Sequence, residues 1–554
     1  MSQQPWNNGQ PSGGPQGGFQ PPQGGPQQGP SGYGAPQPNQ GASQQGGYPN
    51  QPGGYPQGGP GAQGGYPQGG PGAQGGYPQG GPGGPGGPVG TKKKSKVPVI
   101  VAGVVGAAVL AGGGYFAYNF FTGTSPSAAT AGIPQDAMAV VEVSLNPSDS
   151  DKLALKNIVE KFPDTGDATK SDDYKEILWE LVTNEDTSDV DYQEDIKPWL
   201  GNSISLGVLE NEEKGASPVV SIEVTNKDKA DEYFKDELKD TELKYFFHDK
   251  LVVVEDKSSN VEESLKKGSV KDDETYKSDM DALEGSNLAS AWISPKAVDW
   301  LLKNADLGGP NREAVEGLET LKTLHGAAGL HVGDNQLSLF TSFESDIDNG
   351  KGDDVRELAG SLPGDAPIAF GVTMNDQMFG QLWEQLAKTE GVKDQLAQMG
   401  LESQDDLKAL LGKQIAGAID GFIDGGDGEA GLKVKTDDIK RHNEIIDPLF
   451  EQMSQGGQLP VEREADGDTA IYAYGYSIDD VKSGALKDND LYKKVVTDDA
   501  QSLVFVNVGT LVKDYGNTMP DDLKKNIEPI AAIGITGTSE GKRGNAVVKV
   551  VFND

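Results

Sequence analysis

The chain has 554 residues, no cysteine, and 84 acidic against 47 basic residues, for a formal net charge of −37. That balance excludes a nucleic-acid footprint, which needs clustered Lys and Arg. It also excludes a disulfide framework, so a hydrophobic core must supply any stability. All 84 acids and 43 of the 47 bases lie beyond residue 121, giving that part a net −41, which favours solubility and predicts repulsion from anionic headgroups.

Residues 1–91 contain no Asp, Glu, Lys or Arg and are dominated by Gly, Pro and Gln. The segment Gly-Gly-Tyr-Pro-Gln-Gly-Gly-Pro-Gly-Ala-Gln starts at Gly53 and again at Gly64, with a diverging copy from Gly75. Tyr55, Tyr66 and Tyr77 therefore recur along a tract too poor in apolar side chains to offset its chain entropy. A disordered, low-complexity cytoplasmic tract is expected.

Lys92, Lys93, Lys94 and Lys96 form a basic juxtamembrane cluster at 92–96, followed at 97–121 by twenty-five mostly apolar or small residues. A helix of that length rises about 37 Å, enough for a hydrocarbon core of about 30 Å. Tyr115, Phe116, Tyr118, Phe120 and Phe121 gather at its far end, as an interfacial aromatic belt does. The lysines precede the run and no base follows until Lys152. The expectation is a single-pass cell-membrane protein with a cytoplasmic N-terminus and an extracytoplasmic C-terminal ectodomain, its partner the lipid bilayer through the 97–121 helix. Residues 122–132 read as a linker.

The rest is long for one core, and it aligns on itself. Ile133–Val141 matches Leu362–Phe370 at an offset of 229, Asp195–Gly201 matches Asp406–Gly412 at 211, and Gly268–Tyr276 matches Gly484–Tyr492 at 216. Two homologous halves follow, 133–344 and 362–554, joined by the stretch 345–361. Runs such as Ala139–Leu145, Ser203–Leu209, Val219–Val224, Lys250–Val254 and Gln336–Phe343 read as strands. Lys152–Phe162, Ala230–Leu238, Val261–Lys267, Lys296–Asn304 and Glu313–Leu324 read as helices, and Asp466-Gly467 as a hairpin turn. The expected class is α+β: two tandem halves of antiparallel sheet with packed helices, preceded by one transmembrane helix and a disordered tract.

Ile133-Pro-Gln-Asp-Ala137, Leu145-Asn-Pro-Ser148, Lys161-Phe-Pro163 and above all Asp195-Ile-Lys-Pro-Trp-Leu-Gly201 resemble an actinobacterial membrane-protein family whose extracytoplasmic part is known as domain of unknown function 3352. The resemblance extends over the apolar run and most of 133–554. It implies an envelope protein without an assigned reaction, cofactor or ligand. The second half departs from the motif, with Ala409 and Leu410 where the first has Pro198 and Trp199. Physically, Trp199 reads as a cap on the core and Gly201 as the turn into a strand.

A search for chemistry yields little. His248, His325, His331 and His442 show no zinc spacing, with His325 expected at a helix end and His331 in or beside a strand. Ser264-Leu-Lys-Lys267 fits Ser-x-x-Lys but lacks its companion motifs, and the aligned residue is Asp480. Asp346–Gly352 and the group Asp420, Asp424, Asp427 and Glu429 hint at calcium loops without EF-hand order. No catalytic, cofactor-binding or metal residue is assigned, and no cofactor. The function expected is a non-enzymatic interaction or scaffolding ectodomain meeting an unknown envelope protein or ligand. The alternative is a binder or carrier of an apolar or glycan-linked envelope molecule in a groove between sheet and helices.

Overall fold

The computed structural model describes residues 128–162, 171–182, 190–211, 215–283, 285, 287–304, 321–389, 391–421, 428–455 and 461–554. All fall within one compact unit, Pro88–Asp554. The alternating segment from Ala139 opens the first strand, and the helices Asp149–Val159 and Tyr174–Val182 intervene before the chain returns beside it at Leu200. The first eight strands are β1 (Ala139–Ser144), β2 (Leu200–Asn211), β3 (Gly215–Val224), β4 (Leu243–His248), β5 (Leu251–Asp256), β6 (Ala289–Ile293), β7 (His325–Gly333) and β8 (Gln336–Glu344). The next eight are β9 (Ile368–Thr373), β10 (Gln414–Asp420), β11 (Glu429–Lys435), β12 (Glu462–Asp466), β13 (Thr469–Tyr474), β14 (Ser502–Val506), β15 (Ile530–Glu540) and β16 (Arg543–Phe552).

They form one sixteen-stranded antiparallel sheet in the order β12-β13-β11-β10-β9-β14-β15-β16-β8-β7-β6-β1-β2-β3-β5-β4. From the centre outward, the two repeats have the same order. Register agrees as well: Val141 faces Leu206 as Phe370 faces Gly417, and Tyr245 faces Val254 as Arg463 faces Tyr472. Turn chemistry repeats in part. Asp249 and Gly467 adopt φ of 53° and 63° at the same turn position in one pair of equivalent hairpins, while in the other pair the left-handed residue is the second of the turn, Asn335 at 52°, in one repeat and the first, Gly541 at 61°, in the other. The expected Asp466-Gly467 turn belongs to the first pair, closing between Asp466 and Thr469.

The repeats are joined edge to edge by β8 and β16. Phe340 and Val547 hold equivalent places past the hairpins Gly333–Gln336 and Glu540–Arg543, and they pair with each other. A pseudo-twofold axis therefore passes between them.

This corrects the expected fold class in two respects. The α+β antiparallel character stands, but the halves share a single sheet. Among the described residues no helix is long and apolar enough to cross a membrane. The 97–121 helix, the 1–91 tract and most of the expected helix Glu313–Leu324 lie outside the described residues.

In the first repeat both faces of the sheet are covered. Ala129, Ile133, Val261 and Tyr276 pack on one, against Val140, Val219 and Val253. Tyr192, Ile196, Trp199 and Phe234 pack on the other, against Val141, Val220 and Val252. In the second repeat Val355, Ala359, Leu486 and Tyr492 cover the first of these faces. On its other face the helices Val392–Gln398, Gln404–Leu411 and Ile439–Gln455 make only a small cluster of their own, centred on Leu401, Ala409 and Ile445.

Candidate functional site

Because paired residues share a face of the pleat, one row can be followed across the sheet. Phe370, Val504, Ile535, Val548 and Leu339 are consecutive partners on β9, β14, β15, β16 and β8. Five strands at about 4.8 Å spacing make a stripe about 19 Å wide. Val504 is 36% exposed and Ile535 43%, while Phe370, Val548 and Leu339 are half-buried. Equivalent register positions in the first repeat hold Ala291, Ala328 and Thr341 where the second holds Val504, Ile535 and Val548. The second repeat thus carries the larger aliphatic side chains where they are not covered. Its helices carry smaller fillers: Leu410, Ser403 and Ile445 stand at the places of Trp199, Tyr192 and Phe234.

A second feature lies at the seam. Asp279, fully buried, accepts from Trp292 Nε1 at 2.9 Å, lies 2.8 Å from His325 Nδ1, and meets Arg543 Nη2 at 3.3 Å. Arg543 belongs to the second repeat; it also donates to Glu344 at 2.6 Å and to Ser342 Oγ at 2.9 Å. His325 thus opens β7 and pairs with a carboxylate, instead of capping a helix as expected. Beside it, the Tyr276 hydroxyl donates to the buried Glu142 carboxylate. In the second repeat Gly371 occupies the place of Glu142, and the equivalent Tyr492 hydroxyl has no partner among the described residues.

The third is Lys433 on β11, 3% exposed. Its ammonium donates to Ser361 O at 2.9 Å, Ser361 Oγ at 2.6 Å and Lys482 O at 2.8 Å. The two carbonyls lie at the C-terminal ends of the helices Arg356–Gly360 and Ile478–Ser483, where a cation is favoured. The first repeat has Ser221 there. Burial pushes the Lys433 amine down to about 8, against a weaker opposing pull from Asp466. Between that value and the unfolded value near 10.5 the folded chain releases a proton that the unfolded chain keeps, so stability rises with pH across the window. From pH 7.5 to 9.5 the native protein is expected to gain about 2 kcal/mol relative to a Lys433→Met variant, at about 1.4 kcal/mol per unit. Urea unfolding at several pH values measures it, and parallel curves for the two proteins would remove the assignment.

The residues singled out from sequence are spread over the molecule. His331 lies on β7 with Nε2 2.7 Å from Asn287 Oδ1. His442, 1% exposed, sits with Nδ1 3.1 and 3.0 Å from the Ala409 and Leu410 carbonyls and Nε2 2.5 Å from the Tyr472 hydroxyl. The carbonyls can only accept, so Nδ1 carries hydrogen. His248 ends β4. Ser264 lies on the short helix Val261–Leu265, two residues before the exposed Lys266 that pairs with Glu263. Asp346 pairs with Lys542 at 2.8 Å. Asp424 and Asp427 fall outside the described residues, Asp420 accepts from the Tyr515 hydroxyl, and burial followed by repulsion from Asp420 raises Glu429. Among the described residues no group of three His, Cys, Asp or Glu could hold a metal ion.

Trp199 is 2% exposed, with Nε1 donating to Asp195 O at 2.7 Å and its ring against Tyr233 and Phe234 at 5.3 and 5.2 Å. A Cβ at Gly201 would run into the Glu223 backbone at 2.5 Å, so the motif's last residue must be small. The Asp195–Gly201 motif is therefore a core cap and a close strand crossing. Residues 99–245 match the family model DUF3352. The matching family is described as Protein of unknown function. No curated protein and no solved structure matches the chain. The DUF3352 region stops inside β4 and includes none of the second repeat, so it covers less of the chain than the resemblance read from the sequence. The aliphatic stripe lies wholly outside it. The sequence reading missed the stripe, although the alternating Ile533, Ile535 and Ser502, Val504, Val506 were visible.

Proposed function

We propose that this is a non-enzymatic cell-envelope protein of the actinobacterial kind, single-pass and held at the membrane by residues 97–121. Its N-terminal tract is cytoplasmic and its sheet extracytoplasmic. Support for the placement is the lysine cluster before the apolar run and the confinement of every acid to the far side. Interaction or scaffolding is the wider reading of the ectodomain. One observation favours the narrower reading, capture of an apolar or glycan-linked envelope molecule: Val504, Ile535 and Val548 replace Ala291, Ala328 and Thr341, with Val504 and Ile535 exposed and Val548 half-buried beside them. Large aliphatic groups held in water contribute little to folding and commonly mark a contact surface. The stripe is linear and has no charged member, and its backbone groups are engaged in the ladder, so it suits an alkyl chain lying across the strands.

The test uses full-length protein in vesicles containing a diazirine-bearing fatty acid. Photolabel is expected on β14–β16 and lost in an Ile535→Glu variant whose unfolding midpoint is unchanged, since Ile535 is 43% exposed. Labelling confined to 97–121 and indifferent to Ile535→Glu would refute the reading.

A further inference from the structure

The sheet has two free edges among the described residues, β4 and β12, each paired on one side only. Such an edge presents unpaired backbone N–H and C=O groups, which a second strand can satisfy. The two edges are equivalent strands of the repeats, yet they are built oppositely. β12 reads Glu-Arg-Glu-Ala-Asp and is exposed at every residue. Arg463 pairs with Asp447 and lies over Phe450, and Lys482 reaches Glu464 and Asp466. Charged edges of this kind discourage pairing.

β4 reads Leu-Lys-Tyr-Phe-Phe-His, half-buried throughout. It contains no acid and no proline, and its six residues pair with β5 without a bulge. Leu243, Tyr245 and Phe247 pack toward one core and Phe246 toward the other, so the strand is held flat with its outer edge open. Its one charged side chain, Lys244, is drawn back over the sheet to Glu255 at 3.6 Å and the Ser259 carbonyl at 2.8 Å, and it has neither the proline nor the bulge that protects other edges.

Beside it runs the helix Lys227–Glu237, which carries Asp228, Asp231, Glu232, Asp236 and Glu237. The Tyr245 hydroxyl donates to Asp231 Oδ1 at 2.9 Å, and Lys227 Nζ lies 4.7 Å from the Phe247 ring centre. Lys227, Lys229 and Lys235 of the same helix offset part of that charge, Lys229 through Glu232 at 2.9 Å, and five acids against three bases leave a net-acidic rim beside the β4 edge. We propose that β4 is a docking edge for an extended, basic segment of a partner protein, which adds one further antiparallel or parallel strand and sets its Lys or Arg side chains against that helix. Backbone pairing supplies the attraction and the acids supply the choice of sequence. A second copy of this chain fits poorly, because pairing β4 with β4 would bring two such helices together in proteins already strongly negative.

The proposal is independent of alkyl-chain binding, whose stripe lies on other strands. Full-length protein in lipid nanodiscs is titrated with a labelled ten-residue peptide of alternating valine and lysine. Valine–glutamate and proline-interrupted peptides serve as comparisons, with fluorescence anisotropy and hydrogen exchange as readouts. The valine–lysine peptide is expected to bind and to slow amide exchange within Leu243–His248, while the other two do neither. A double variant, Asp228→Lys with Glu232→Lys, leaves β4 unaltered and is expected to weaken binding about tenfold or more. A Phe246→Pro variant, if it remains folded, abolishes binding. Protection elsewhere, equal binding of the glutamate peptide, or affinity indifferent to the charge reversal would each overturn the proposal. So would β4 protection appearing with concentration-dependent dimers in the absence of peptide.

Discussion

Replacing Asp279 by alanine is expected to lower the stability of the whole sheet by about 3–5 kcal/mol, the usual cost of breaking a buried ion pair from one side. The carboxylate is fully buried and serves Trp292, His325 and Arg543 together. Its loss leaves a buried indole N–H without an acceptor and takes away the partner that His325 and Arg543 share across the join. Arg543 keeps Glu344, so the damage falls mainly on the first repeat's side. An Asp279→Asn variant retains an acceptor and so is expected to lose less. Urea denaturation of the three proteins decides the matter: an alanine variant within about 0.5 kcal/mol of the parent, the scatter of ordinary surface changes, would show that the cluster does not hold the seam.

Trp199→Ala is expected to cost about 3–5 kcal/mol, the range for emptying a large aromatic site in a core. The side chain is 2% exposed, wedged between Tyr233 and Phe234, and hydrogen-bonded to the Asp195 carbonyl. Trp199→Phe keeps most of the packing and gives up the hydrogen bond, a net loss of about 1 kcal/mol plus a small cavity term. The reciprocal change, Leu410→Trp in the second repeat, has no matching space prepared by aromatic neighbours, since Glu444 and Ile445 stand where Tyr233 and Phe234 do. An alanine variant as stable as the phenylalanine variant would contradict the core-cap reading.

The duplication was legible because turns and core positions leave periodic marks: the aligned blocks at Ile133, Asp195 and Gly268 reappear as equivalent strands and turns. The strand Ala289–Ile293 was not read, and of His325–Gly333 only His331 was expected in or beside a strand. The second is rich in Gly and Ala, poor strand formers in isolation. They are there for clearance: a Cβ at Gly326 would strike the Phe343 backbone and one at Gly329 the Asn287 side chain. Such needs arise from partners far along the chain and are invisible locally. His325 was misread for the same reason, its partner Asp279 being distant in sequence. The shared sheet was hidden too, because an edge strand that will meet another has the same alternation as one that will not.

The asymmetry between Val504, Ile535 and Val548 and their counterparts could be extracted only once register was known. Lys433 shows a related limit. In Gly-Leu-Lys-Val-Lys it looks, like Lys435 two residues on, like any outward residue of a strand. Its burial follows from two helices that end over it.

The pairing of β8 with β16 about a pseudo-twofold axis is an isologous interface enclosed within one polypeptide. In an ordinary homodimer every change on one subunit is imposed on the other. Here each face exists once. Arg543 can reach into the neighbouring repeat without a symmetric copy competing for Asp279, β12 can be armoured while β4 stays open, and one repeat can fill its sheet face with aromatics while the other leaves aliphatics bare. Covalent linkage has released the two partners from having to be identical.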